Sequence, residues 1–299
     1  MRDLIFVYTS STENIETIVL AESIREYGGK YSDSPIWLYT TEKLDEMSEE
    51  RKKKLDSLEV EVKDLKIDNE VAKFPFTGHV RAAAQAEEEA ENKTQFLAYL
   101  GINSIIIQEP SEFSLGDKIN LGYRPVHHKL IGSQYDEPID PFWQKIYQLC
   151  NVTDEKIFPM KTHVDGNILR PYINSGYLIV RPERGFLRHW WKVYREIYGD
   201  RFFKDYYKKD DLYLTFIHQA VLSGILLSYL SKDEIKELPF TYNYPINLYH
   251  ESLEEYKPKS IDDLVTARYY LNKLLDKEAF EKIPFDEPLK GWLKSRICK

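Results

Sequence analysis

Apolar and polar stretches alternate along the chain in a way that separates it into elements. Leu4-Ile5-Phe6-Val7-Tyr8 is an unbroken apolar run, the pattern of a strand covered on both faces. The polar cluster Thr9-Ser10-Ser11-Thr12 follows it, and an amphipathic stretch from Glu13 to Tyr27 ends at Gly28-Gly29. Ile36-Trp37-Leu38-Tyr39 enters after Ser34-Pro35, so the opening predicts a β-α-β unit and the start of a parallel sheet. The charged stretch from Glu42 to Lys66 predicts a solvated helix leading into another strand. Arg81 to Ala98 has alanines and glutamates at helical density and runs into the strand-like Phe96–Leu100. A second such run, Ile105–Ile107, follows after Gly101-Ile102-Asn103-Ser104.

Beyond Pro110 the pattern turns irregular as far as Asp165, with one helical insert from Pro141 to Cys150. Long loops of this kind shape sites. Order returns with an apolar strand in Tyr172–Val180, then an aromatic helix from about Gly185 through Trp190, Trp191 and Tyr194. Phe216 to Leu230 reads as a buried helix, and the tail from Asp262 to Lys299 as helical and then irregular. No internal repeat occurs. The fold class is therefore α/β, a mixed, mostly parallel central sheet flanked by helices.

Composition narrows the partners. A chain of 299 residues that is 42% hydrophobic buries a core without staples. Its 49 acidic and 41 basic side chains leave a net charge of -8, which argues against nucleic acid or an anionic membrane surface as partner. Only Cys150 and Cys298 occur, so a reduced, cytoplasmic protein without a structural disulfide is expected. The N-terminal apolar run is too short for a signal-peptide core. Phe216–Leu230 is interrupted by His218 and Gln219 and is shorter than the ~20 residues that cross a bilayer, so no membrane span is expected.

Ligands in α/β sheets bind beyond the carboxyl ends of the strands, where Tyr8-Thr9-Ser10 and Gly101-Ile102-Asn103 fall. At four places between residues 4 and 270 the chain resembles the nucleotide-diphospho-sugar transferases of the glycosyltransferase type A fold. Phe6-Val7-Tyr8-Thr9-Ser10-Ser11 is similar to the strand and loop that cradle the nucleoside. Arg81 stands where the family often places a basic residue facing the phosphates. In Phe96–Ile107 the family's Asp-x-Asp motif is replaced by Gly101-Ile102-Asn103, with Ser104 in the threonine position. Asn174-Ser175-Gly176 resembles the turn that lines the sugar pocket, and glycine's tolerance of positive φ accounts for only one of its three residues. Downstream, His218-Gln219 resembles the family's Asp-Gln, with histidine where aspartate is usual. Leu238-Pro239 followed by Asn243 resembles the segment beneath the acceptor site, and Arg268 and Tyr270 fall nearest a metal-binding His.

The resemblance implies a single domain over 1–299, with 1–110 as nucleotide-binding half, 111–270 as acceptor half and 271–299 as C-terminal extension. It implies a nucleoside-diphosphate sugar and an acceptor of unidentified class as partners. Asn174, His218, Gln219 and Asp165 become catalytic candidates, and His218, Asp165 or Asp140 could fill the base position. Tyr8, Thr9, Ser10, Arg81, Gly101, Asn103, Ser175, Gly176 and Arg268 become the nucleotide and substrate contacts. Hard cations such as Mn²⁺ or Mg²⁺ want carboxylate oxygens, and Gly101 and Asn103 supply none. The expectation is therefore transfer without the usual metal or any cofactor, a role for Mn²⁺ or Mg²⁺ staying open, with phosphate charge met by a cation among Arg268, Arg81, Arg124 and Lys129. A non-catalytic nucleotide-sugar or glycan-binding protein is the alternative. Nucleotidyl transfer is disfavoured, because no Gly-rich basic loop follows the first strand. His127, His128, Asp136, Asp140, His163 and Asp165 are acceptable metal-ligand types, but their spacing fits no recognised site. Tyr242–Tyr244 and Tyr123-Arg124 are the acceptor-side aromatic candidates, and Trp190-Trp191 reads as packing because adjacent helical residues cannot face one pocket.

Overall fold

The computed structural model describes residues 2–43, 45, 47–271 and 277–297. Its frame is a seven-stranded sheet. Strands β1 (Arg2–Thr9), β2 (Ile36–Thr40), β3 (Val60–Asp64) and β4 (Thr94–Leu100) come from the first third of the chain. After the short β5 (Ser104–Ile106), β6 (Leu121–Pro125) rejoins the sheet. The two-residue strands β7 (Met160–Lys161) and β8 (Ile168–Leu169) pair with each other, and β9 (Ile173–Val180) and β10 (Ile235–Glu237) complete the large sheet. Its order is β10-β6-β9-β4-β1-β2-β3. Every pairing is parallel except those of β9, which runs antiparallel to β4 and β6. That reversal brings the start of β9 beside the carboxyl ends of β4 and β6. Strands from both halves of the chain thus share one sheet.

Alternation along the strands divides the core. Ile5 and Val7 of β1, with Leu97 and Tyr99 of β4, pack into one apolar cluster. Leu4, Phe6 and Tyr8, with Phe96 and Ala98, belong to a second on the opposite face, as the two-residue period of a strand requires. The first face is covered by α4 (Thr77–Ala90), α5 (Pro141–Cys150), α6 (Phe186–Ile197) and α8 (Asp211–Tyr229), the second by α1 (Ile15–Tyr27) and α2 (Glu49–Ser57). A short α3 (Asn69–Ala72) precedes α4, and α7 (Arg201–Lys209) sits against α8. Beside this body, β11 (Tyr244–Pro245), β12 (Thr266–Arg268) and β5 make a small sheet in order β11-β12-β5. It has its own apolar cluster, which includes Ile105, Tyr269 and Trp292.

Two strands escape the hydrophobic pattern. β6 reads Leu-Gly-Tyr-Arg-Pro and lies in the segment expected to be irregular, yet all of its residues are buried. β10, Ile-Lys-Glu, carries two charges in three residues. β5 does not pair with β4, whose sequence it nearly adjoins; the Gly101–Ser104 turn sends it antiparallel to β12. Among the described residues one helix, Asp211–Tyr229, is long and apolar enough to cross a membrane by length and composition, and 61% of its apolar window is buried against the rest of the fold. Cys150 is a buried free thiol, and Cys298 lies outside the described residues.

Helix α8 approaches α5 most closely at Gly224. A Cβ built there stands 2.6 Å from Cys150 Sγ and 2.9 Å from its Cβ. Alanine normally gains ~1 kcal/mol over glycine inside a helix, but overpacking costs about 1–3 kcal/mol. Gly224→Ala is expected to lower stability by about 1–2 kcal/mol, read as the urea midpoint. A raised midpoint would show that the helices part freely.

Candidate functional site

The site is assembled by backbone ladders at the carboxyl edge of the sheet. The Gly101 N–H donates to the Gly176 carbonyl at 2.7 Å, Ser104 N–H closes the turn onto Gly101 O at 3.0 Å, and Tyr269 N–H reaches Asn103 O at 3.0 Å. These bonds fix the Gly101–Ser104 turn, the start of β9 and the end of β12 against one another. The side chain of Arg268 spans the junction. Its Nε donates to Asn103 Oδ1 at 3.2 Å and its Nη1 to Asn174 Oδ1 at 3.0 Å. Asn174 Oδ1 also accepts the Gly176 N–H at 3.0 Å. Among the described residues no carboxylate lies within ion-pair distance of this guanidinium. A Cβ at Gly101 would stand 3.1 Å from Asn103 Oδ1 and 3.8 Å from Arg268 Nη2, so a longer side chain there would compete with the arginine for space.

A cleft of about 990 Å³ opens over this junction, at the upper end of the ~300–1,000 Å³ typical of ligand clefts. Thr9, Gly101, Asn103, Asn174, Ser175, Gly176, His218, Gln219 and Arg268 all line it. A smaller depression of about 320 Å³ adjoins it, sharing Thr9 and His79 and adding Ser10, Thr40 and Glu42. The Asn-Ser-Gly turn is held rigidly from behind. Ser175 N–H donates to Gln219 Oε1 at 3.0 Å, its hydroxyl is hydrogen-bonded to His218 Nε2 at 2.9 Å, and its carbonyl accepts from His79 Nε2 at 3.0 Å. That last bond makes Nε2 the protonated nitrogen of His79, leaving Nδ1 unprotonated 3.0 Å from the Tyr99 hydroxyl, which donates to the His79 carbonyl at 2.7 Å. Gln219 is therefore a positioning residue for Ser175.

Burial decides the charge of the cleft. It holds His79 down to about 4, against the opposing Ser175 hydrogen bond and with Arg268 adding repulsion. Burial likewise depresses His218, with His79 contributing, and His127, with Arg268 contributing. These imidazoles are neutral at pH 7. Arg268 is also pushed down by burial but keeps its proton, as guanidinium does in proteins. Among the described lining residues Arg268 is the one permanent cation and Glu16 the one carboxylate.

Several predicted contacts fall elsewhere. Tyr8 shares the α1 face with Leu4 and Phe6, fully buried, its hydroxyl on Thr17 O at 3.1 Å; strand alternation leaves Thr9 to face the cleft. Arg81 donates to Lys66 O at 2.8 Å and lies over the Trp191 ring, in a separate groove. Two positions along a helix are about 200° of rotation, so the α4 residue aimed into the cleft is His79. Asp165 accepts Lys129 N–H at 2.8 Å and the Thr162 hydroxyl inside a loop closed by Thr162 N–H on Asn167 O at 3.0 Å. Burial would raise its pKa, but these hydrogen bonds outweigh that and hold it low. Asp140 caps α5 through Trp143 N–H at 3.0 Å. Arg124 is buried on Glu237, Leu238 O and His163, and Tyr123, Tyr242 and Tyr244 are buried too, so none of these meets an acceptor. Trp190 is buried with its indole N–H on His218 O at 3.0 Å. Phe76, His79 and Glu16 were not legible as site residues, and only the position of His79 two residues before Arg81 could have pointed to one of them.

The junction does not fit a divalent cation. Gly101 offers no ligand atom, Asn103 Oδ1 is engaged by a guanidinium, and Arg268 occupies the place implied for a ligating histidine. Among the described residues no group of three or more His, Cys, Asp or Glu side chains is placed to hold a metal ion. His163 stacks on Tyr256 at 4.3 Å, and Asp140 and Asp165 serve local backbone.

Residues 4–215 match a family model described as the Rhodobacterales glycosyltransferase domain. No curated protein matches the chain in sequence. Among solved structures, a galactosyltransferase LgtC in complex with donor and acceptor sugar analogues is 12% identical with a TM-score of 0.53, the likeness covering 99% of this chain and 96% of that one. The bifunctional glycosyltransferase WbbM in its apo form is 10% identical with a TM-score of 0.52, over 100% of this chain and 52% of that one. At such identities these likenesses show the fold, a glycosyltransferase type A sheet.

The neutral imidazole of His79 gives the site a pH signature. Its folded pKa of about 4 lies below the ordinary 6.5, so unfolding takes up a proton at any pH between the two. Stability is therefore full above 6.5 and falls as pH drops towards 4. The urea midpoint is expected to decline over this window, and less steeply in His79→Gln. Equal slopes would place His79 in solvent.

Proposed function

We infer the chemistry from one premise: the chain belongs to the Rhodobacterales glycosyltransferase domain family, which its residues 4–215 match. Glycosyltransferases of this fold take a sugar-nucleotide donor and an acceptor. We propose that this one moves the sugar of a nucleoside-diphosphate donor to an acceptor hydroxyl without a divalent cation, Arg268 meeting the charge of the departing diphosphate. The nucleoside belongs against Thr9, Ser10 and Thr40, in the depression that adjoins the main cleft. The diphosphate then reaches the Gly101–Asn103 turn.

The observation that carries the reading is the guanidinium itself. Of the five N–H donors of an arginine, Asn103 and Asn174 engage two, both through neutral amide oxygens. Among the described residues no carboxylate forms an ion pair with the guanidinium, Glu16 acting on it only from across the cleft, and it lies among imidazoles that burial keeps uncharged. An anion entering the cleft meets a fixed, half-buried cation with donors to spare, the arrangement that stabilises charge developing on a leaving group. When the glycosyl–oxygen bond breaks, its electron pair passes to the phosphate oxygen beside this group, while the acceptor oxygen bonds to the anomeric carbon and gives up its proton to the departing diphosphate. Asn174, held by Gly176 N–H and Arg268, presents its amide N–H₂ to the sugar. We place the protein in the cytoplasm, on its two cysteines and the buried free thiol of Cys150.

Thermal-shift screening with uridine, guanosine and cytidine diphosphates identifies the nucleotide, since a ligand of the native state raises the midpoint. With the matching sugar nucleotide, EDTA is expected to leave the transfer rate unchanged, and Arg268→Gln to lower kcat by about 10²–10³-fold. Transfer abolished by EDTA and restored by Mn²⁺ would sink the metal-free reading. Nucleotide binding without turnover would favour a non-catalytic binding protein. Gly101→Asp is expected to cut activity to the level of Arg268→Gln by pairing with the guanidinium, and a fully active variant would show that the charge is not needed free.

A further inference from the structure

A strained aromatic residue stands at the mouth of the cleft, outside the roles assigned so far. Phe76 is 47% exposed, and its backbone sits in the left-handed region at φ 59° and ψ 3°. It occupies the N-cap of α4 without making a capping hydrogen bond. A cap position selects serine, asparagine, aspartate or glycine, and the left-handed region selects glycine or asparagine. Phenylalanine satisfies neither preference, and with about half of its surface open to solvent, packing on one ring face alone does not account for its presence.

The neighbouring residues hold the strain in place. Phe74 packs on Tyr198 and Tyr207 at ring separations of 4.7 and 5.7 Å. The buried Thr77 hydroxyl is hydrogen-bonded to Tyr194 at 3.1 Å. Pro75, between them, allows little change in φ. With both flanks anchored, the Phe76 ring lies on the His218 imidazole, centroids 4.5 Å apart and planes 12° from parallel, with the His79 ring edge-on at 6.4 Å. Backbone strain that the surroundings over-determine clusters at ligand clamps.

We propose, building on the glycosyltransferase reading above, that Phe76 is the stacking platform for a pyranose ring in this cleft. The flat C–H face of the sugar rests on the phenyl ring, and its hydroxyl rim meets the polar groups beside it, Thr215, Gln219 and Asn174. The ring is a sugar rather than a nucleobase, because Phe76 does not line the depression of Thr9, Ser10 and Thr40 that suits the nucleoside. The pyranose is either the acceptor or the sugar of the donor, and both present the same C–H face.

The test uses the full chain and its Phe76→Asn, Phe76→Gly and Phe76→Trp variants. Thermal midpoints are compared first: Asn and Gly relieve the strain, so their midpoints equal or exceed the parent's, whereas a structural Phe76 would lower both. NMR titration with methyl β-D-galactopyranoside and methyl β-D-glucopyranoside, in the presence of uridine or guanosine diphosphate, reads the acceptor arm. The affinity of UDP-glucose relative to UDP, and of GDP-mannose relative to GDP, reads the donor-sugar arm. Phe76→Asn and Phe76→Gly are expected to weaken one arm about tenfold, and Phe76→Trp to retain it. Lowered midpoints in both small-residue variants, unchanged affinity in both arms, or weakening of UDP and GDP alone overturns the proposal. If the unaltered chain binds a nucleoside diphosphate, such a failure leaves the glycosyltransferase reading standing; if it binds none, both fall together.

Discussion

The Arg268 guanidinium, bound by the amide oxygens of Asn103 and Asn174, is the contact on which the rest of the site depends. It joins three chain segments that come from different parts of the sequence, and each is placed by backbone rather than by side chains. β12 lies antiparallel to β5 with Arg268 opposite Ser104, and β9 lies antiparallel to β4 with Leu100 opposite Tyr177. The Gly101–Ser104 turn connects the two ladders. A Cβ at position 101 would crowd Asn103 Oδ1 at 3.1 Å, the atom that accepts from Arg268 Nε. A turn without a carboxylate and a cation on the neighbouring strand therefore fit together.

The surrounding burial has an electrostatic consequence. Aromatic and aliphatic packing around His79, His127 and His218 makes their protonation costly, so a cleft containing several titratable rings carries one fixed positive charge. Neutral imidazoles can still donate and accept hydrogen bonds. His79 and His218 use that ability to hold the Ser175 carbonyl and hydroxyl, which orients the Asn-Ser-Gly turn without adding charge to the cleft.

Elements with a strong apolar pattern were legible in the sequence: β1, β9 and the helical insert over Pro141–Cys150 stand where the pattern put them, and the buried helix expected over Phe216–Leu230 is there but begins five residues earlier, at Asp211. β6 and β10 were not, because Gly122, Arg124, Pro125 and the Lys236-Glu237 pair break the run while tertiary neighbours still supply the ladder. Several residues that the resemblance singled out between Gly101 and Arg268 do line one cleft. Side-chain direction was harder. Tyr8 and Arg81 were each taken into the site from sequence position, and strand alternation in one case and helical rotation in the other turned them away. Phe76 carried no signal at all, since an exposed phenylalanine after a proline belongs to no periodic pattern.

The two walls of the cleft are made differently, and the difference suits what each must hold. The Arg268 wall is sheet and turn, held by backbone hydrogen bonds, and it presents a fixed positive charge suited to an anion. The Phe76 wall is the start of a helix, kept in an unfavourable conformation by the anchored residues on either side, and it presents a flat apolar face beside amides and hydroxyls. Charge selects an anion tightly but says little about its shape, whereas a ring face with a polar rim discriminates shape at small energetic cost. Transfer of a sugar from a nucleoside diphosphate, as proposed, uses both kinds of recognition side by side. His218 links the two walls directly, since it stacks under Phe76 and hydrogen-bonds the turn that Asn174 shares with Arg268.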